Sequence, residues 1–418
     1  MHMFTIIFLI ALTAATGVQL WLARRQLVHV VGNAAQVPEQ FRGRITLDQH
    51  SKAAHYTVAR VRLGIIDIVL SVALLLGWTL GGGITALTQA WDASLSPGLV
   101  SGTAVILSIF MLSSLINLPL ELYAIFNIEQ RFGFNRTSLA TFAADTLKKL
   151  LLTLLIGAPI AMLILWVMAT LGGFWWVYAW LLWICINLLA VWAFPIWIAP
   201  LFNTFSPLDD ARLATRIQSL LERHGFSTSG IFVADGSKRS GHGNAYFTGL
   251  GASKRIVFYD TLLEDLDAEE VEAVLAHEVG HFKRKHIAKQ LAFSAAIVLS
   301  ALALLAWLAE QSWFYSGLGV ATPSTAAALL LFMLAAPSFF FFLGPLMSLL
   351  SRKHEFEADA FAAQHANGAT LVNALVKLYR NNSATLTPDP LYSAFHDSHP
   401  PAPLRIARLE ALSGTAQS

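Results

Sequence analysis

Seven stretches of this chain are apolar over roughly 20 residues, the length that a helix needs to cross a bilayer. Only Gly172 and Gly173 separate the fourth stretch from the fifth, which predicts a tight helical hairpin at that point. The pattern as a whole predicts a mainly α-helical, polytopic membrane protein. The seven stretches are Phe4–Leu22, Leu63–Leu80, Leu99–Leu118, Leu150–Leu171, Phe174–Ile198, Ile287–Leu308 and Thr325–Leu350.

The segment between the fifth and sixth stretches has the pattern of a small folded domain. Ala211–His224 has the periodicity of an amphipathic helix. Gly230–Ala234, Asn244–Leu250 and Arg255–Asp260 are short runs rich in β-branched and aromatic residues, bounded by turn residues, and predict strands. We therefore divide the chain into spans one to five (1–199), an α+β domain (200–286), spans six and seven (287–350) and a C-terminal tail (351–418).

Composition and charge agree with a membrane protein and suggest its orientation. Of the 418 residues 56% are hydrophobic and 13% charged, whereas soluble domains carry about 25% charged residues. All 28 Lys and Arg residues lie in or border the segments that follow spans one, three, five and seven, which share one side of the membrane. Positive charge favours the cytoplasmic side. We expect the N-terminus outside and the α+β domain and tail in the cytoplasm. The net charge of +2 gives no reason to expect nucleic acid as a partner.

The strongest chemical motif is H-E-V-G-H at residues 277–281. Two histidines four residues apart share one face of a helix and can bind one zinc ion, while Glu278 is placed to act as general base. Asp267 and Glu270 form a capping-box pattern that predicts a helix beginning ten residues before His277. The competing interpretation of Glu278 is an ordinary surface glutamate in an acidic helix.

A catalytic zinc site needs three protein ligands and one open position, so a third ligand must come from elsewhere in the chain. Glu355 is the candidate, because it lies on a predicted helix one turn before Asp359, on the same face. Asp359 would then orient a metal-bound histidine through its other ring nitrogen. The alternative is a solvated acidic start of a helix just past the last span. Glu357 lies on a different face and is the less favoured ligand.

Two further regions carry polar residues with an open interpretation. His399 lies in H-D-S-H-P-P and Asn244 in G-H-G-N-A-Y. The alternative for His399 is a loop whose prolines end a helix, and the alternative for Asn244 is an ordinary turn residue. Asp67 and Asn187 interrupt apolar spans, which either favours a water-filled interior or reflects packing between helices.

At this level of detail the chain resembles the type I CAAX prenyl endopeptidases, which are integral-membrane zinc metalloproteases. Seven separated segments carry the resemblance in the same order along nearly the whole chain. They are N-L-P-L from Asn117, I-E-Q-R-F-G-F-N from Ile128, I-A-P-L-F-N from Ile198, S-K-R-S from Ser237 leading to N-A-Y-F from Asn244, H-E-V-G-H from His277, E-F-E-A-D-A-F-A from Glu355, and H-P-P from His399.

The resemblance implies a seven-helix barrel around a large water-filled chamber, capped on the cytoplasmic side by the zinc domain. It implies Zn²⁺ bound by His277, His281 and Glu355, with Glu278 as base. The family's best-known activity removes the last three residues from prenylated proteins that end in Cys-a-a-X. The expected partners are therefore a peptide or lipidated protein and the lipid bilayer, and the expected setting is a bacterial-type homologue in an inner membrane.

The resemblance also favours functional roles for residues that the sequence alone leaves open. Residues that match Asn244 and His399 contact the substrate backbone or the reacting carbonyl in such enzymes. Arg405 matches an arginine of the family near the site. We expect Asn244, His399 and Arg405 to bind substrate, and His399 to assist catalysis.

The sequence also allows two other functions. One is a membrane-protein quality-control protease that does not need a prenyl group. The other, from a different class, is a non-catalytic membrane chamber or transporter that holds a structural zinc. A protease with its motif inside the bilayer is disfavoured, because Lys283, Arg284 and Lys285 directly follow the motif.

Overall fold

Helices make up most of the structure, a computed structural model that describes residues 2–226, 228–249 and 254–415, the last three without their side chains. Those that precede the sheet are α1 (Met3–Asn33), α2 (Leu47–Trp78), α3 (Gly83–Leu95), α4 (Leu99–Tyr123), α5 (Gln130–Phe132), α6 (Leu139–Leu152), α7 (Ala158–Thr170) and α8 (Trp175–Ala193). Those that follow its first strand are α9 (Ala211–Arg223), α10 (Asp260–Asp265), α11 (Ala268–Lys283), α12 (His286–Ala309), α13 (Ser312–Gly317), α14 (Thr325–Phe340), α15 (Gly344–His365), α16 (Gly368–Asn381), α17 (Pro390–His396) and α18 (Ala402–Thr415).

In the described part of the chain, seven continuous helical segments are long and apolar enough to cross a membrane. This confirms the seven predicted spans, and most of the helices extend past the apolar run at one end. Short π-helical turns join α4 to α5 and α6 to α7 without breaking the helix. The seventh segment runs from α14 through α15 and ends at His365. It therefore carries Glu355 and Asp359 on a continuation of the last span.

A four-stranded sheet lies between the fifth and sixth spans. Its strands are β1 (Phe205–Pro207), β2 (Gly230–Ala234), β3 (Ala245–Thr248) and β4 (Arg255–Tyr259), in the order β1-β2-β4-β3. The pair β2–β4 is parallel, and β1 and β3 are antiparallel edge strands. The three predicted strands are confirmed within the described residues, Leu250 lying outside them. The three residues of β1 were too few to give a sequence pattern.

Among the described residues, two large hydrophobic cores hold the molecule together, beside a small cluster of Ile128, Phe132 and Phe134. One lies among the spans and joins side chains of α1, α3, α4, α7, α8, α12, α13 and α14. The other joins α9, β4, α11, α15, α16 and α18, with Val279 and Ile406 fully buried in it. The C-terminal helices thus pack around the helix that bears the H-E-V-G-H motif.

The start of α11 is fixed by the predicted capping box, which is confirmed. The Asp267 side chain accepts hydrogen bonds from the N–H groups of Glu269 and Glu270, and Glu270 accepts one from the N–H of Asp267. Lys377 of α16 adds an ion pair of 2.6 Å to the buried Glu270 carboxylate. The cap and the ion pair together fix the position of the motif helix against α16.

Candidate active site

The site is built where α11 and α15 pack against each other. Gly280, inside the motif, faces α15 so closely that an added Cβ would lie 3.0 Å from Ala358 Cα and 3.0 Å from Phe361 Cβ. Glycine is therefore needed for a close approach of the two helices. That approach brings the histidines of α11 to the carboxylates of α15.

His277, His281 and Glu355 converge, with one ligand atom from each within 4.8 Å of the others. The two histidine Nε2 atoms lie 3.2 Å apart because their residues are one helical turn apart. Glu355 places one oxygen 3.5 Å from His277 Nε2 and the other 3.3 Å from His281 Nε2. Glu355 and His277 are buried, and His281 is partly exposed.

The donor atoms are arranged to bind a metal ion rather than to complete one another's hydrogen bonds. Oxygen Oε2 of Glu355 is buried and makes no hydrogen bond to the described residues. His399 Nδ1 lies 2.7 Å from it, but without the directional geometry of a hydrogen bond. A buried carboxylate oxygen without such a partner is costly unless another group neutralises it. Two imidazoles and one carboxylate are a donor set of catalytic zinc sites.

The far side of the His277 ring is held by two charged residues. Its Nδ1 lies 2.8 Å from Asp359 Oδ1. Arg405 of α18 donates two hydrogen bonds to the same carboxylate, Nη2 at 2.6 Å and Nε at 2.9 Å. The structure thus places Asp359 where the sequence predicts an orienting residue. Arg405 is buried against this carboxylate, and its predicted contact with substrate stays a prediction.

The charges around His277 also change its protonation. Burial lowers the pKa of this imidazole, but its close contacts with the carboxylates of Asp359 and Glu355 outweigh burial and raise the pKa to about 9. Burial also lowers the pKa of the Arg405 guanidinium, but its hydrogen bonds to Asp359 outweigh burial, so that this pKa lies above its ordinary value. Because a histidine binds metal only in its neutral form, metal binding at this site must release a proton.

Glu278 neighbours the three donors along the chain, and His399 neighbours them in space. Glu278 follows His277 on α11, is partly exposed and has no hydrogen-bond or ion-pair partner among the described residues. Its carboxylate is therefore available to a water molecule or a substrate. His399 reaches Glu355 from the loop between α17 and α18, with 62% of its side chain exposed. His399 thus contacts the metal-ligand cluster, Glu278 adjoins it in sequence, and both side chains are accessible from outside.

Asn244 lies at the start of the edge strand β3. It is exposed, and its side-chain oxygen accepts a hydrogen bond from the N–H of Ala245. The preceding turn is anchored by His242, whose ring nitrogens lie 3.3 Å from Glu129 Oε2 and 3.3 Å from Asn382 Oδ1. The structure does not bring Asn244 into contact with the three metal-ligand candidates, but it fixes the turn that holds this residue.

A third histidine, His286, adjoins the site, and the sequence pattern does not predict it there. His286, the first residue of α12, packs its ring against that of His281, with ring centroids 5.1 Å apart. It is buried, although the sequence places it in a basic segment beside the membrane. Its spacing of five residues from His281 is the only sequence signal, and that spacing does not fit a continuous helix.

The comparisons with known proteins cover nearly the whole chain. Residues 26–204 match the family described as "CAAX prenyl protease N-terminal, five membrane helices", and residues 207–413 match "Peptidase family M48". The "CAAX prenyl protease 1" of Saccharomyces cerevisiae is 37% identical over 320 residues, which cover 72% of this chain and 70% of that protein. The chain belongs to the CAAX prenyl protease family.

Two further comparisons extend the similarity to nearly full length. The "CAAX prenyl protease 1 homolog" of Dictyostelium discoideum is 36% identical over 380 residues, 88% of each chain. The crystal structure of S. mikatae Ste24p matches with a TM-score of 0.90 at 30% identity and covers 98% of this chain and 99% of that one. The chain is thus an integral membrane metalloendopeptidase with the Ste24p fold and a metal cofactor. These relatives are eukaryotic, and the predicted bacterial-type origin is not confirmed.

Proposed function

We propose that this CAAX prenyl protease family member is a zinc endopeptidase that cleaves near the C-terminus of prenylated or other membrane-associated substrates. The observation that carries the proposal is the convergence of His277, His281 and Glu355, with Glu278 next to the first histidine. Zinc is the metal that best suits two imidazoles and one carboxylate with a position left open. The relatives' printed name, CAAX prenyl protease, supports the substrate class.

The chemistry needs a proton acceptor beside the metal. When bound, zinc would polarise the scissile carbonyl and acidify the attacking water. Glu278 accepts the proton of that water and passes it to the leaving amine. Asp359 and Arg405 keep the His277 ring in the tautomer that presents Nε2 to the metal. His399, next to Glu355 and exposed, is placed to donate a hydrogen bond to the carbonyl oxygen on which negative charge develops.

The substrate backbone would bind along β3. This strand pairs with β4 on one side and is an edge of the described sheet on the other. An extended peptide can add to such an edge through main-chain hydrogen bonds. Asn244, exposed at the start of the strand, would then bind a backbone group of the substrate.

The predicted chamber, membrane orientation and domain division belong to the same proposal. In the segment Leu47–Trp78, an apolar run of 18 residues contains none that is fully buried by other helices, which supports a place for this helix in a chamber wall. The α+β domain and the tail would face the cytoplasm, because the positive charges lie on their side. The division at residues 199, 286 and 350 and the inner membrane remain predictions.

The test compares two peptides of identical sequence, one with a farnesylated cysteine four residues from its C-terminus and one unmodified. The purified protein in detergent is incubated with each, and products are identified by mass spectrometry. We expect release of the last three residues from the farnesylated peptide, with a higher kcat/KM than for the unmodified one. Equal cleavage of both would favour a quality-control protease, and cleavage of neither would contradict the proposal.

A further inference from the structure

His286 links the second metal-ligand candidate to a carboxylate outside the ligand set. Nδ1 of His281, the ring nitrogen that does not face Glu355, lies 3.1 Å from Nδ1 of His286. The other nitrogen of His286, Nε2, lies 3.0 Å from Glu357 Oε2. The contacts form an unbroken chain from His281 through His286 to Glu357.

Only one arrangement of protons satisfies this chain if Nε2 of His281 is the metal ligand. The proton of the His281 ring is then on Nδ1 and is donated to Nδ1 of His286. The His286 proton must therefore be on Nε2, from which it is donated to the Glu357 carboxylate. With the His286 proton on Nδ1 instead, two N–H groups would face each other and the carboxylate would have no donor from the ring.

The surrounding structure holds His286 in place. The residue is 3% exposed and begins α12 directly after Lys285, whose positive φ of 55° turns the chain between α11 and α12. Its ring stacks on His354 with centroids 4.1 Å apart and an angle of 13°. Stacking on His354 fixes the plane of the His286 ring, and the hydrogen-bonded chain fixes which ring nitrogens face His281 and Glu357.

Glu357 lies on α15 two residues after Glu355, so one helix supplies both a metal ligand and this carboxylate. The same helix supplies Asp359, which contacts the His277 ring directly. Each of the two histidines thus has a carboxylate of α15 behind it. For His277 the contact is direct, and for His281 it passes through His286.

We propose that His286 and Glu357 are positioning residues that fix the His281 ring with Nε2 toward the metal. This inference deepens the proposed zinc site and rests on it. Outer hydrogen bonds of this kind fix the tautomer of a ligand histidine and raise its basicity. Loss of such a bond lowers metal affinity by about 10–100-fold.

The test measures the zinc dissociation constant of the purified full chain by competition with a chromophoric chelator at constant pH. We expect His286→Ala and Glu357→Ala to weaken zinc binding by about 10–100-fold. Glu357→Gln should stay close to wild type, because the amide oxygen still accepts the hydrogen bond. His354→Ala removes the stacking neighbour but keeps the hydrogen-bonded chain, so its loss of zinc affinity should be smaller than that of Glu357→Ala.

Glu357 keeps the test informative if His286→Ala does not fold, because 31% of the Glu357 side chain is exposed. Zinc binding as tight as wild type in Glu357→Ala would overturn the inference. An equal loss in Glu357→Ala and Glu357→Gln, or in His354→Ala, would also overturn it, since packing or charge would then explain the effect. A wild-type chain that binds no zinc would instead contradict the proposed function.

Discussion

Replacing Gly280 by alanine tests whether the close contact between α11 and α15 builds the site. The added Cβ would lie 3.0 Å from Ala358 Cα, 3.0 Å from Phe361 Cβ and 3.1 Å from the Ala358 carbonyl oxygen. Non-bonded carbon atoms prefer about 3.5–4.0 Å, so the helices must separate by roughly 0.5–1 Å. Two of these three atoms belong to backbone, which cannot turn away as a side chain would.

The displacement acts directly on the ligand geometry. His277 and His281 lie on α11 and Glu355 on α15, and metal–ligand distances tolerate only about ±0.2 Å. Overpacking of this kind costs about 1–3 kcal/mol. Zinc binding would have to pull the separated helices back together against this overpacking energy. The affinity for zinc would then fall about 5–150-fold, since 1.4 kcal/mol corresponds to about ten-fold.

The assay is the zinc dissociation constant of the purified variant, with the thermal unfolding midpoint of the metal-free protein measured beside it. Gly64→Ala is the matched control, because Gly64 is also helical and an added Cβ there meets no atom within 4 Å. We expect weaker zinc binding in Gly280→Ala and wild-type binding in Gly64→Ala. Unchanged zinc affinity in Gly280→Ala would refute the reasoning.

Three further predictions concern the ligands, the metal and the cap. Glu355→Ala removes the only carboxylate of the ligand set, so metal analysis should show sharply lower zinc content; full occupancy would mean that another residue is the third ligand. Chelation should abolish peptide cleavage and added zinc should restore it, and cleavage that survives complete removal of metal would contradict a metal-dependent reaction. Asp267→Ala removes the N-cap of α11 and should destabilise the chain by about 0.5–2 kcal/mol, seen as a lower unfolding midpoint in detergent. An unchanged midpoint would show that the cap contributes nothing.

Local sequence patterns predicted the parts of the fold that depend on residues close in sequence, namely the membrane spans and the start of α11. An apolar run of about 20 residues leaves few alternatives to a spanning helix, because backbone polar groups in lipid must bond within the segment. The capping box of Asp267 and Glu270 involves four consecutive residues and was readable for the same reason. The helix Gly83–Leu95 was missed although Ile84, Leu87 and Trp91 have helical spacing, and the strand Phe205–Pro207 was missed because three residues are too few to show a period.

The candidate site was predictable only in part, because its partners come from distant segments. The i, i+4 spacing placed His277 and His281 on one face, and helical spacing paired Glu355 with Asp359. The contacts of Arg405 with Asp359 and of His286 with Glu357 join residues 46 and 71 positions apart. Nothing in the sequence around either pair specifies those contacts, since they depend on how α12, α15 and α18 pack.

Glu278 provides the most direct test of the proposed mechanism. Glu278→Gln keeps the size and shape of the side chain but removes its ability to take a proton from water. Glu269→Gln, on the same helix and exposed, is the control for loss of one negative charge. We measure zinc content and cleavage of the farnesylated peptide for both variants. Glu278→Gln should bind zinc like wild type and cleave about 10²–10⁴-fold more slowly, while Glu269→Gln cleaves normally. Undiminished cleavage by Glu278→Gln with a full complement of zinc would contradict the account.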